Sequence, residues 1–208
     1  MNRSLAHKLA EFGRCFNAAK PVWDRRHGLP IDRIDDYRQL VNKPLEALML
    51  FTTVAHERPY ASPKYPVAHR MAILKAIGAS DIRNTGVNKK FSEKLLSDGN
   101  FPDEVWRDFK ELAEIETKRD EQQSNKQNIK EKYTKGPVVR ILQELKAKRE
   151  PNLILYLQSK KLEDAYNFLK DKKQIGGIGH KIAALFLRDV WDYVGKGGQW
   201  VNTVDRQR

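Results

Sequence analysis

Gln174-Ile175-Gly176-Gly177-Ile178-Gly179-His180-Lys181-Ile182-Ala183-Ala184-Leu185-Phe186-Leu187 is the stretch from which the rest of the chain is read. Two glycines bracket one aliphatic residue in Gly177-Ile178-Gly179 and lead straight into a helical pattern. The first backbone N–H groups of that helix therefore lie open at the mouth of a short hairpin. Those orphan donors, with the positive end of the helix dipole, suit an anion such as a phosphate. Upstream, Leu162, Ala165, Tyr166 and Leu169 repeat at helical spacing, and downstream Ile178, Ile182, Leu185 and Phe186 do the same. The spacing predicts helix, hairpin, helix over residues 162–194.

The composition suits such a motif. With 208 residues, 40% hydrophobic and 9% aromatic, the chain can bury a real core. Its formal net charge of +12 sets up a positive field that attracts nucleic acid or an anionic surface, although such a charge also serves solubility. No apolar run reaches the roughly 18 residues of a membrane span. Arg3, Lys8, Glu11 and Arg14 interrupt the apolar residues of the N-terminus, so no secretory signal is expected and an intracellular protein is. Cys15 is the only cysteine, which excludes an internal disulfide and a four-cysteine zinc or iron–sulfur site. His7, His27, His56, His69 and His180 are too far apart for a local metal motif, and no metal site is expected.

Outward from the hairpin, the chain reads as helices throughout. Arg3 to Ala19 is amphipathic through Leu5, Leu9, Phe12 and Phe16, and Pro21 limits it. Trp23 reads as a packing anchor before a base-stacking residue, and Asp32, Asp35 and Asp36 as first-turn acids before an acid/base group. Asn42-Lys43-Pro44 is a helix start with Asn42 as cap, and Leu45 to Ala55 is apolar nearly all round, as a central core helix must be. Tyr65 to Ile77 shows a stripe of Val67, Met71, Leu74 and Ile77, stopped by Gly78. Phe91 to Leu96 is a short helix, and a longer one from Pro102 aligns Val105, Phe109, Leu112 and Ile115. Residues 118–136 are either a solvated extension or a flexible linker. Order resumes with Val138, Ile141, Leu142 and Leu145, then with Pro151 to Leu157. No strand signal recurs. The expectation is an all-α fold, one unit over residues 1–208.

The hairpin resembles the helix-hairpin-helix DNA glycosylase superfamily, which includes endonuclease III and the 8-oxoguanine glycosylases. The signature there is a Gly-aliphatic-Gly hairpin, one residue, Lys, one residue, Ala, and further on an Asp after an aliphatic residue. Here these are Gly177-Ile178-Gly179-His180-Lys181-Ile182-Ala183 and Val204-Asp205. The match is specific over Leu162 to Val190 and suggestive over the preceding helices.

The resemblance implies two helical lobes and a DNA repair glycosylase with lyase activity. Lys181 would attack C1′ of the damaged nucleotide, displace the base and form a Schiff base, from which β-elimination nicks the strand. Asp205 would stabilise the cationic sugar. A neutral amine is required, and His180, Lys173 and Arg188 are candidate neighbours that would favour one. Gly177, Ile178, Gly179, His180 and Arg188 would contact the backbone of double-stranded DNA. His56, Arg58 and Tyr60 would sit in a loop that fills the gap left by the flipped nucleotide. Trp106, His56 and Trp200 are candidates for the base pocket. No cofactor and no iron–sulfur cluster is expected, a monovalent cation at the hairpin is compatible with the family, and the partner is damaged duplex DNA bound by a monomer.

One departure from the family pattern lies between the lysine and the acid. Trp191 to Trp200 lengthens the segment between Lys181 and Asp205, while Asp189 and Asp192 lie nearer Lys181 in sequence. Two other readings remain open at this level: a non-catalytic helix-hairpin-helix protein in which Lys181 merely touches phosphate, and a basic helical module that contacts RNA or a protein.

Overall fold

Pro44–Ala55 (α1) is the helix on which the others lean. All twelve of its residues are buried, as a helix apolar on every side requires. It belongs to a computed structural model that describes residues 37–55, 64–112, 137–171, 175, 178–195 and 197–202. After α1 come Lys64–Ala76 (α2), Val87–Ser97 (α3), Phe101–Leu112 (α4), residues 137–147 (α5), Leu153–Gln158 (α6), Leu162–Lys170 (α7) and His180–Asp189 (α8). The described residues are all-α and contain no strand. Helices α2, α3, α6 and α8 pack on α1, α4 lies along α2, and α7 bridges α6 and α8. Their apolar residues form a single cluster from Tyr37 to Trp200.

The start of α1 differs from the sequence expectation. Asn42 ends a 3-10 turn, Gln39–Asn42, and does not cap the helix. The Leu45 N–H is instead bonded at 3.0 Å by the Asn88 side chain of α3, an acceptor 43 residues away. An orphan donor at a helix start takes whatever acceptor the fold brings to it, and no local pattern announces a distant one.

Of the stripe expected along α2, Leu74 and Ile77 are buried but Met71 is not. Met71 is 47% exposed, while Ala68, His69, Ala72, Ile73 and Leu74 are buried. His69 is fully buried and stacks on Phe109 of α4, with ring centroids 3.7 Å apart. Helix α2 has few large apolar residues, so its neighbours decide which side turns inward.

Two buried side chains join distant segments. Asn152 caps α6 through Oδ1, which accepts from the N–H groups of Ile154 at 2.9 Å and Leu155 at 3.3 Å. Its Nδ2 donates to the carbonyls of Leu40 at 2.7 Å and Val41 at 3.0 Å. Beyond α8, a π turn at Val190–Val194 and a 3-10 turn at Gly198–Asn202 fold the long segment back onto α6. Trp200 is fully buried there and donates its indole N–H to the Lys160 carbonyl at 3.0 Å.

Candidate nucleic-acid interface

Helices α7 and α8 pack against each other, and each is held from behind by apolar residues. Ala165, Phe168 and Leu169 bury one side of α7, where Phe168 meets the Tyr156 ring edge-on at 5.3 Å. Ile182, Ala183, Phe186 and Leu187 bury one side of α8, and Phe186 meets Phe51 of α1 in a T-shaped contact at 5.2 Å. Ile175 and Ile178, on the connection, are buried as well. These anchors fix the start of α8 on the surface of a rigid core.

His180 and Lys181, the first two residues of α8, are both exposed. Gly179 is the N-cap, with φ −93° and ψ 173°, and no side chain caps the helix. Extended angles of this kind suit any residue. A Cβ added at Gly179 would meet no described atom within 4 Å. Among the described residues nothing makes a steric demand for glycine at this position, and glycine puts no side chain over the N–H groups of the first turn.

Beside this opening the Tyr166 hydroxyl lies 2.7 Å from His180 Nδ1. Lys170 Nζ stands 4.8 Å from the centre of the Tyr166 ring. Tyr166 was read from its spacing only as part of the α7 stripe. Its hydroxyl instead meets the first residue of α8, fourteen residues on, a contact that local spacing does not signal.

The other expected site residues are placed as follows. Arg188 lies in the last turn of α8, seven residues beyond Lys181 and so roughly 10 Å further along the axis. Its guanidinium is engaged by the buried Asp189 carboxylate, with Nη2 2.6 Å and Nε 3.1 Å from Oδ1. Asp189 is thus turned toward Arg188 two turns from Lys181. Neither tryptophan of the expected base pocket is open to a base. Trp106 is 6% exposed and stacks on Phe109, and Trp200 is the buried anchor described above. Large aromatic surfaces in a chain of this size are claimed by the core first.

Gly177, Lys173, Asp205, His56, Arg58 and Tyr60 lie outside the described residues, as do Trp23, the cluster at Asp32, Asp35 and Asp36, Cys15, and residues 118–136. Among the described residues there is no group of three or more His, Cys, Asp or Glu side chains that could hold a metal ion. Among them, too, no helix is long and apolar enough to cross a membrane. The chain matches no family model, no curated protein and no solved structure.

Proposed function

We propose that the chain binds the backbone of duplex DNA at the start of α8 and excises a damaged base from it, with Lys181 as nucleophile and Asp205 as its carboxylate partner. The observation that carries this reading is Gly179: a glycine that neither its backbone angles nor any described neighbour requires, at the start of a helix whose first two residues are exposed and whose second is a lysine. Main-chain N–H groups at such a point hold a phosphate without reading sequence, and the net charge of +12 draws the polyanion in.

In the chemistry proposed, the neutral Lys181 amine forms a bond to C1′ while the glycosidic bond breaks and its electron pair leaves with the base, which takes up a proton. Loss of a proton from nitrogen and opening of the sugar ring give the Schiff base. Removal of a C2′ proton then expels the 3′ phosphate oxygen. Asp205 stabilises the positive charge on the sugar in the first step. Lys181 is exposed in the free chain, so the desolvation that this chemistry needs comes from the docked, flipped nucleotide. No step requires a monovalent cation. The proposed partner places the activity where DNA is, inside the cell, and a single chain supplies all the groups named.

The test is to incubate the protein with duplex carrying an abasic site or an oxidised base and to add borohydride. A covalent adduct that disappears in Lys181→Gln is the expected result. Exposure of Lys181 also favours the non-catalytic reading, in which it touches phosphate only. DNA binding with no adduct across a lesion panel would establish that alternative.

A further inference from the structure

We infer that Tyr166 is a positioning residue, whose hydroxyl fixes the His180 imidazole as a neutral Nε2–H donor toward a DNA phosphate at the first turn of α8. The inference rests on the reading of that turn as a DNA-backbone contact. Its ground is the 2.7 Å approach of the Tyr166 hydroxyl to His180 Nδ1. A phenol O–H is a good donor and a neutral imidazole nitrogen a good acceptor, so the bond runs from Tyr166 to Nδ1. The Lys170 ammonium, 4.8 Å from the Tyr166 ring centre, draws density from the phenol and strengthens it as a donor.

With Nδ1 accepting, the ring proton sits on Nε2. That nitrogen lies on the far side of the ring from Tyr166, on an exposed residue whose neighbour Lys181 begins the set of open N–H groups. Among the described residues, Lys170 lies against the Tyr166 ring and Lys181 follows His180 in the chain, and both cations favour an anionic ligand at Nε2. A donor held in this way needs no protonation to bind phosphate. It also loses little side-chain freedom on binding, because the bond to Tyr166 has already oriented it.

The experiment has two readouts. In the free protein, nitrogen NMR of His180 at pH 8 should show the Nε2–H tautomer, and an Nδ1–H tautomer would overturn the inference. In DNA binding at a fixed low salt concentration, Tyr166→Phe should weaken affinity about fivefold, the cost of ordering an imidazole that is no longer held in place. The variant keeps the ring, and with it the packing and the Lys170 contact. In a His180→Ala background the same substitution should change nothing. Equal losses in both backgrounds, or no loss in either, would refute the positioning role. Wild-type protein that binds no DNA would instead remove the DNA reading, and this inference with it, so the two failures are told apart.

Discussion

The main-chain carbonyl of Gln158, at the end of α6, lies against Gly198 so closely that a Cβ on Gly198 would overlap it. Gly198 also has φ +54°, a left-handed conformation that side chains disfavour. Gly198→Ala should therefore destabilise the fold by about 3 kcal/mol, from strain and overlap with backbone that cannot yield. Gly197→Ala meets only the tip of the Gln158 side chain. It should cost about 1 kcal/mol, through the bond from Gln158 Nε2 to the Gly195 carbonyl, 2.8 Å long in the native chain. Urea midpoints at unchanged slope measure both. Equal losses would mean that the segment is not held to α6 in this way.

Asn152 is 2% exposed and fills four hydrogen-bonding roles between α6 and the 3-10 turn before α1. Asn152→Ala removes a cap worth about 1 kcal/mol, takes the Asn152 donor from the Val41 carbonyl at about 1 kcal/mol or more, and leaves the Leu40 carbonyl with the Lys43 N–H as its remaining donor. A loss of roughly 2 kcal/mol is expected. Asn152→Asp keeps the cap but turns a charged oxygen toward the same carbonyls, so it should be no more stable than the alanine variant. An aspartate variant close to wild type in thermal denaturation would refute the two-ended role.

Arg149 closes α5 in a left-handed conformation with φ +55°. Its N–H bonds the Lys146 carbonyl and the Glu150 N–H bonds the Leu145 carbonyl, each at 3.0 Å, the double bond pattern of a helix end that glycine normally fills. Gly78 closes α2 with the same pattern: its φ is +64°, its N–H bonds the Lys75 carbonyl and the Ala79 N–H bonds the Leu74 carbonyl. Arg149→Gly should accordingly stabilise the chain by ~0.5–1 kcal/mol, because the strain relieved exceeds the backbone entropy lost. A lower denaturation midpoint would contradict that.

These elements show what local sequence could and could not reveal. Helix α1 was legible because it is apolar on every side, so no choice of face arises. Helix α8 was legible because Ile178, Ile182, Leu185 and Phe186 repeat at helical spacing, and all of these but Leu185 are buried. Helix α2 was misread at Met71 because its inward side is set by Phe109, forty residues away from His69 in sequence, and not by its own weak stripe. Trp200 and Trp106 look like ligand-facing aromatics in a basic chain until the core claims them. Asn152, Tyr166 and Asn88 act through partners that adjacent residues do not reveal: a turn 112 residues away, a histidine at the start of α8, and the start of α1.

Tyr156 donates its hydroxyl to Glu144 Oε1 at 2.5 Å, joining α6 to α5. Burial, with the hydrogen bond and charge of Glu144, raises its pKa above the usual tyrosine value. In the unfolded chain the phenol ionises near pH 10. The folded state then holds a proton that the unfolded state has released, so this contribution is complete below about pH 10 and falls as pH rises toward the folded value. Above pH 10 the stability of the wild type should decline more steeply than that of Tyr156→Phe, by up to about 1.4 kcal/mol per pH unit. Parallel declines in denaturant melts between pH 9 and 11 would show that Tyr156 ionises alike in both states.

Gly179→Ser separates folding from binding at the start of α8. The backbone angles there suit serine, and no described atom lies within 4 Å of the new Cβ. Serine is also a better N-cap than glycine, by a few tenths of a kcal/mol, because its hydroxyl accepts from the N–H of the second or third helical residue. Those residues are Lys181 and Ile182, whose N–H groups are the ones a phosphate would need. The variant should thus melt at or slightly above the wild-type temperature, yet bind duplex DNA about tenfold more weakly, the loss of one charge-assisted hydrogen bond. Lys181→Gln should also bind more weakly, but with a smaller dependence on salt, since it removes a charge that Gly179→Ser leaves in place. Unchanged affinity in Gly179→Ser would mean that phosphate does not enter at this helix start, whatever Lys181 contributes.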